Sequence, residues 1–414
     1  MNKIDSYKLF IGIAFYYRFN WALMTTVSMV FMVTVAGLDP LQMVLVGTVL
    51  ELSVFIFEIP TGVVADVYSR RRSMIIGYFM MGFGYMLLAL FPRFDVILLS
   101  QVIWGVGATF LSGASQAWIS DEIGEAKANR SFIIASQYGK VGSLIGIAVC
   151  IALAMIDLKI PIIVGSLGLV SLGVFSFLFM GEKPFRPVEE ENRETWTQMA
   201  DTFTRGVSLA RSHPVLWIII VIAVFEGMYS EGYDRLFAPY LIESFEFPEF
   251  NGLDTVIWWG VMSAGATLLA FVAVDIVRRF VNTSNYRHLV VGLSIASALL
   301  VCAMFSFALA GNFTIALLSY FAVAMLRSVK GPLTTAWLNQ NLESSTRATL
   351  FSMQAQADAF GQIGGGPVVG FVGKFFSIQI ALIVSTIALI PAIGLYQKAL
   401  RTPVDVDPKA GVVP

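Results

Sequence analysis

Residues 57–77 read FEIPTGVVADVYSRRRSMIIG: an apolar run, then Gly62, Asp66 and the cluster Arg70, Arg71 and Arg72, each step spaced by three residues. The spacing has a physical use. Gly62 lets helices approach closely. Asp66 can cap or pair at a helix end, and the arginines can meet carboxylates or helix C-termini of neighbouring spans. Such contacts form in one conformation and break in another. Read more plainly, three arginines after a membrane span are a topology signal, and for Arg72 that reading is preferred.

The surrounding sequence makes a membrane span the right context. The 414-residue chain is 57% hydrophobic and 13% charged, against about 25% charged for an average soluble domain, and its mean hydropathy is +0.76. Apolar runs long enough to cross a bilayer, roughly 20 residues each, are expected near 8–33, 41–62, 74–91, 95–118, 131–155, 161–180, 214–238, 254–276, 288–310, 313–337, 348–372 and 376–397. The first run is too long and too polar at its middle for a signal-peptide core, so it is expected to be retained. With the first span starting in the cytoplasm, one side collects most of the Lys and Arg, including Arg70–Arg72, Arg130, Arg193, Arg278, Arg279 and Arg401. The other side keeps Arg93, Lys159 and Lys374. By the positive-inside rule both termini are cytoplasmic.

The longest polar stretch, 181–213, divides the spans six and six. Trp196, Met199, Phe203, Val207 and Ala210 recur there at helical spacing, which predicts a surface-lying amphipathic helix within a tether. The expected organisation is therefore a six-helix bundle at 1–180, a cytoplasmic linker at 181–213, a second bundle at 214–400 and a tail at 401–414. The halves echo each other: SQAWISDEIGEAKANRS pairs with TTAWLNQNLESSTRAT, matching Trp118 to Trp337, and ADVYSRRR pairs with VDIVRRF, matching Asp66 to Asp275. Duplicated halves are a transporter architecture.

On these residues the chain resembles the major facilitator superfamily, whose loop between the second and third spans is matched by Gly62, Asp66, Arg70 and Arg71, with Ser69 where the family usually has Gly. The resemblance covers the whole chain. It implies an all-α polytopic protein with twelve transmembrane helices in two pseudo-symmetric bundles that rock between inward-open and outward-open states. The first, fourth, seventh and tenth helices would line a central cavity, and the third, sixth, ninth and twelfth would be peripheral.

The buried charges test that assignment. Arg18 falls in the first span, Glu51 and Glu58 in the second, Lys140 in the fifth, Glu226, Glu231, Asp234 and Arg235 in or near the seventh, Arg327 and Lys330 in the tenth, and Asp358 in the eleventh; the interiors of the four peripheral spans carry none. A charge at mid-bilayer costs several kcal/mol, about 3 by insertion scales, unless it faces protein or water. At 1.5 Å per residue, Arg18, Glu51, Arg327 and Asp358 each lie about 15 Å from the inner ends of their spans. Arg18, in the stretch FYYRFNWAL, is expected to face the cavity and to pair with Glu51 when no substrate is bound; the rival is a structural pair locking two helices. Glu58 is expected in the loop network with the arginines. Glu226 has no cation one turn away, and an unpaired carboxylate in low dielectric can carry a proton, so Glu226 and Asp358 are the candidate proton carriers. Alternatively each is a carboxyl hydrogen-bonded between helices.

Tyr16, Tyr17, Phe19 and Trp21 around Arg18, with Trp104, Tyr229, Tyr233 and Trp337, are expected to make an amphipathic pocket, although each taken singly reads as packing or an interface anchor. Tyr17, Asn20, Trp104 and Tyr229 complete the expected substrate path. Gly142 and Gly146, and Gly366 and Gly370 with Pro367 between them, are packing features first and hinges second. Cys150 and Cys302 read as small apolar residues in spans. With two cysteines and two histidines far apart no metal cluster is expected. There is no phosphate-cradling P-loop run, so ATP is not expected to drive it. An intramembrane enzyme is the weakest candidate, since no metal site or nucleophile with its base is recognisable in the spans, and neither a cofactor nor a nucleic-acid partner is expected. The expected partners are a small-molecule substrate, protons and the bilayer of the cell inner (plasma) membrane, for a monomeric protein.

The resemblance favours a proton-coupled antiporter of the bacterial drug and metabolite exporter type, acting in efflux of amphipathic compounds and so in multidrug resistance. Two positions depart from that type. Gln101 stands where such exporters usually carry an arginine before the Gly105-Val-Gly107 element, and Gly366-Pro367 lies in the eleventh span rather than the fifth. One alternative is a carrier for a small anionic metabolite held by Arg18, Lys140, Arg327 and Lys330. Another, of a different class, is a lipid-moving protein or a non-transporting receptor.

Overall fold

Short polar side chains start several helices by satisfying free N–H groups. Asp5, Ser69, Asn285 and Ser377 each accept from the backbone three residues on, and Asp39 with Gln42 closes a full capping box ahead of Pro40. The computed structural model describes residues 5–182, 214–248, 256–281, 285–340 and 344–402. The amphipathic helix expected around Trp196–Ala210 lies outside these, as does the tail from 403 onward.

The described residues form α1 (Ser6–Thr34), α2 (Pro40–Val67), α3 (Arg70–Leu90), α4 (Phe94–Leu111), α5 (Ala114–Ile123), α6 (Glu125–Ala154), α7 (Lys159–Phe179), α8 (Pro214–Ser244), α9 (Val256–Phe280), α10 (Tyr286–Ala308), α11 (Phe313–Gln340), α12 (Ser344–Phe375) and α13 (Ile378–Arg401). α4 and α5 make one span, broken at Ser112 and at Gly113, whose φ of 68° is one that glycine adopts freely. Each of the twelve expected spans thus has its helix. Among the described residues, ten helices are long and apolar enough to cross a membrane. The two that fall short, α1 and α12, carry Arg18 and Asn20, and Gln354, Gln356, Asp358 and Gln362, at their middles.

The contacts divide the chain into two units, one of residues 1–198 with 246–264 and the other of 199–245 with 265–414. In the first, α1 packs on α6 and α7, and α3 packs on α4 and α7. In the second, α8 packs on α12 and α13, and α10 packs on α11 and α13. These are the same pairings counted six spans apart.

The repeat extends to register. A Cβ on Gly142 of α6 would overlap the Phe15 carbonyl oxygen of α1, and one on Gly146 would stand 2.5 Å from that of Phe19. In the second unit, Gly361 of α12 meets the Val224 carbonyl of α8, and Gly365 meets Met228. Glycine at these points removes the only atoms that would hold the backbones apart. On this register Arg18 occupies the place of Gly227, and Gly139 that of Asp358. Arg18 lays its Cγ 3.1 Å from a Cβ built on Gly139, whereas Gly227 sits against the Asp358 carbonyl. The close approach of α12 to α8 thus runs through Gly361 and Gly365, not singled out in the sequence. Gly366 and Gly370 are buried, and Pro367 lies inside the helix.

Leucine at Gly146 is expected to lower the thermal unfolding midpoint of the detergent-purified protein, because overpacking costs about 1–3 kcal/mol. Leucine at Gly62, where nothing lies within 4 Å of an added Cβ, is expected to leave the midpoint unchanged.

Candidate functional site

In the first unit, Arg18 is exposed on α1, and among the described residues no carboxylate pairs with it. The expected pair with Glu51 is not formed. The reason is topological: α1 is flanked by α6 and α7, while Glu51, half-buried, belongs to α2, which packs on α4 and α3. Lys140 is exposed on α6. Asn20, expected on the substrate path, instead turns into the α1–α7 contact. It is 1% exposed, donates from Nδ2 to the Tyr16 carbonyl at 2.7 Å, and fills the space that a side chain at Gly168 would need.

Tyr17 and Trp104 do converge. Tyr17 stacks on Trp21 with centroids 6.2 Å apart, Trp21 stacks on Trp104 at 5.4 Å, and Tyr85 meets both indoles edge-on at 6.2 and 5.9 Å. These are favoured ring arrangements, worth about 0.5–1.5 kcal/mol each beyond area burial. α3 and α4 come close enough for this because Gly84 lies against Ser100 and Trp104. Tyr85 was not read from the sequence, since nothing in a lone aromatic on a peripheral helix marks it.

At the other end of this unit, α3 starts on a carboxylate. Glu182 accepts from Ser69 Oγ at 2.6 Å and from the Arg71 N–H at 3.1 Å, which places a negative charge at a helix N-terminus. Arg70 is ion-paired with Asp121 and donates to the Ala117 carbonyl at 3.1 Å; Arg71 donates to the Phe177 carbonyl, near the end of α7, at 2.5 Å. Glu58 accepts from Ser112 Oγ at 2.7 Å, at the α4–α5 break. Asp66 joins none of these, and Gly62 has open space around it rather than a helix pressed against it. In the second unit the matching acid, Asp275, pairs with Arg278 and Arg279 at 3.1 and 2.6 Å. There α9 runs on through both arginines, whereas in the first unit the chain breaks between Val67 and Arg70 and carries Arg70 and Arg71 away from Asp66.

In the second unit, Arg327 of α11 grips Asp234 of α8 with two nitrogens, at 2.5 and 2.7 Å, and lies 5.8 and 5.9 Å from the ring centroids of Tyr229 and Tyr233. Both a bidentate carboxylate and aromatic faces suit a guanidinium. Glu226, expected to stand without a cation, is ion-paired with Lys330, whose side chain is 5% exposed; Tyr396 donates to the same carboxylate at 3.4 Å. That cation comes from another helix, which spacing along α8 alone does not reveal. Glu231 is held by Arg235 one turn on, at 3.0 Å. Asp358 differs: its carboxylate accepts from Gln362 Nε2 at 2.7 Å, and the charges around it include Glu226, Asp234 and Arg327 without direct pairing. The i,i+4 spacing of Asp358 and Gln362 is a helical-face signal that sequence reading passed over.

A sequence profile described as Major Facilitator Superfamily matches residues 9–305. The chain belongs to the major facilitator superfamily. Within it, the chain is 23% identical over 367 residues to "Uncharacterized MFS-type transporter YxaM" of Bacillus subtilis (strain 168), covering 86% of this chain and 87% of that one. Among solved superfamily folds it is similar to the nucleoside transporter NupG, with a TM-score of 0.75, 15% identity, and coverage of 97% of this chain and 100% of that one. It also resembles an inward-facing bacterial homologue of the human lysosomal transporter Spinster, at a TM-score of 0.73, 15% identity and 96% of each chain. A POT family transporter bound to 5-aminolevulinic acid gives 0.74, 14% identity, and 95% and 96% coverage. At such identities the structural likeness speaks for the fold, which is that of secondary transporters working by alternating access.

Removing one member of the Lys330–Glu226 pair leaves the other charge unmatched at a site where Lys330 is buried and Glu226 half-buried, which costs up to about 3–5 kcal/mol, whereas removing both is far milder. K330M is therefore expected to lower the thermal midpoint sharply, and K330M/E226Q to recover most of the loss. Equal midpoints for the single and double variants would show the pair to be uncoupled.

Proposed function

We propose that this chain is a proton-coupled secondary transporter that exports an amphipathic small molecule, with Asp358 as the proton carrier. The observation that carries the reading is the partner of each acid in the middle of α8 and α12. Glu226, Glu231 and Asp234 each face a cation, while Asp358 faces a carboxamide. Protonating one of the first three strands a partly or fully buried cation without its counter-charge, at a cost of several kcal/mol, about 3–5 for a fully buried pair. Protonating Asp358 strands nothing, because Gln362 can hydrogen-bond either form of the carboxyl. The same pairing argues against a carrier built on a midplane cluster of cations: Arg327 and Lys330 are already matched by Asp234 and Glu226.

In liposomes with a pH-sensitive dye, amphipathic compounds are expected to trigger proton movement through the wild-type protein. D358N should abolish that movement while leaving exchange of substrate for substrate intact. Undiminished proton flux in D358N would rule out Asp358 as the carrier.

A further inference from the structure

The first unit poses a charge problem opposite to that of the second. Arg18 stands near the middle of α1, the first of the twelve expected spans; it is exposed, and among the described residues no carboxylate of the chain pairs with it. An intramembrane guanidinium is costly unless an anion or water meets it, and its planar fork matches a carboxylate with two parallel hydrogen bonds. The stem of the side chain packs over Gly139 of α6.

The neighbouring surface is aromatic. Trp21 is three residues from Arg18, which puts the two side chains on adjacent parts of one helix face, about 5–6 Å apart at Cβ. Together with Ile11, Ala14, Thr25 and Met29 they form a stripe along α1 that is nowhere fully buried. Behind Trp21 the indole of Trp104 stacks at 5.4 Å and Tyr85 closes edge-on, so the Trp21 ring is braced against rotation. With Tyr17 also stacked on Trp21 at 6.2 Å, the partly exposed rim of this aromatic cluster makes an apolar shelf one turn from a guanidinium that no described carboxylate matches.

We propose that the first unit binds a planar aromatic monoanion, its carboxylate on Arg18 and its ring against the Trp21–Trp104 shelf. This rests on the reading of the chain as a transporter of amphipathic compounds, and narrows their class. The anionic group supplies the counter-charge that the chain withholds from Arg18, while the ring uses a surface that water solvates poorly. A lipophilic cation gains the shelf but meets a like charge.

Quenching of tryptophan fluorescence tests this with three probes that share one ring: 4-nitrobenzoate, 4-nitrobenzamide and 4-nitrobenzylammonium. In the purified wild-type protein, the benzoate is expected to bind at least tenfold more tightly than the amide, and the ammonium least of all. R18Q should remove the preference for benzoate over amide, R18K should retain part of it, and W21A should weaken benzoate and amide alike. If R18Q fails to fold, a reduced preference in R18K supports the proposal in its place, and an undiminished one counts against it. Equal affinity for acid and amide in the wild type, or a preference that survives R18Q, would overturn the proposal. D358N serves as the separating control, because the benzoate preference should survive in it. Loss of the anion preference alongside Asp358-dependent proton flux would sink the substrate class and leave the proton reading standing.

Discussion

The constraint behind most of this structure is the cost of an ionised group inside a bilayer. It dictates that a charge on a membrane-spanning helix is paired, hydrogen-bonded by neutral partners or turned to a face that other matter can reach. Arg327 with Asp234, Lys330 with Glu226 and Arg235 with Glu231 satisfy it by pairing. Among the described residues Arg18 and Asp358 have no such pair: Asp358 is hydrogen-bonded by the neutral Gln362, and Arg18 is turned to an exposed face. On the reading proposed above, a substrate anion answers for the first and a proton for the second.

The two exceptions are related by the internal repeat. At matched places in the α1–α6 and α8–α12 contacts, the first unit sets Arg18 against Gly139 and the second sets Gly227 against Asp358. In each pair one side is glycine, so two close-packed helices can admit a charged residue without being forced apart. A duplicated scaffold has thus placed a cation on the leading helix of one unit and an acid on the fifth span of the other. The flanking glycines, Gly142 and Gly146 in one unit and Gly361 and Gly365 in the other, keep the same spacing in both.

Much of the fold was legible in the sequence because apolar length and charge asymmetry are local signals. The run from Gly62 to Arg72 placed a helix boundary, and the break at Gly113 is the one feature of the span count that hydropathy smoothed over. Arg18, Glu226, Arg327, Lys330 and Asp358 all lie inside long helices, as expected. Pairing was not, because it depends on which helices are neighbours. Arg18 and Glu51 were expected at similar heights on consecutive helices, yet α1 and α2 pack against different partners. Glu226 read as solitary because its cation, Lys330, is more than 100 residues away. Asn20 read as lining a path because its sequence cannot show that Gly168 leaves it a hole in α7. Asp121 and Glu182, which hold Arg70 and the start of α3, lie in polar segments where an acid attracts no notice.

The central claim is that Asp358 holds the exchangeable proton because its partner is a neutral amide. Infrared difference spectra of the protein in lipid, recorded as the pH is lowered, report the carbonyl stretch of a carboxylic acid directly. A protonated-carboxyl band that is present in the wild type, shifts in Q362L, where its hydrogen-bond partner is lost, and disappears in D358N is the predicted result. A band that persists unchanged in D358N would place the proton on another acid and contradict the account.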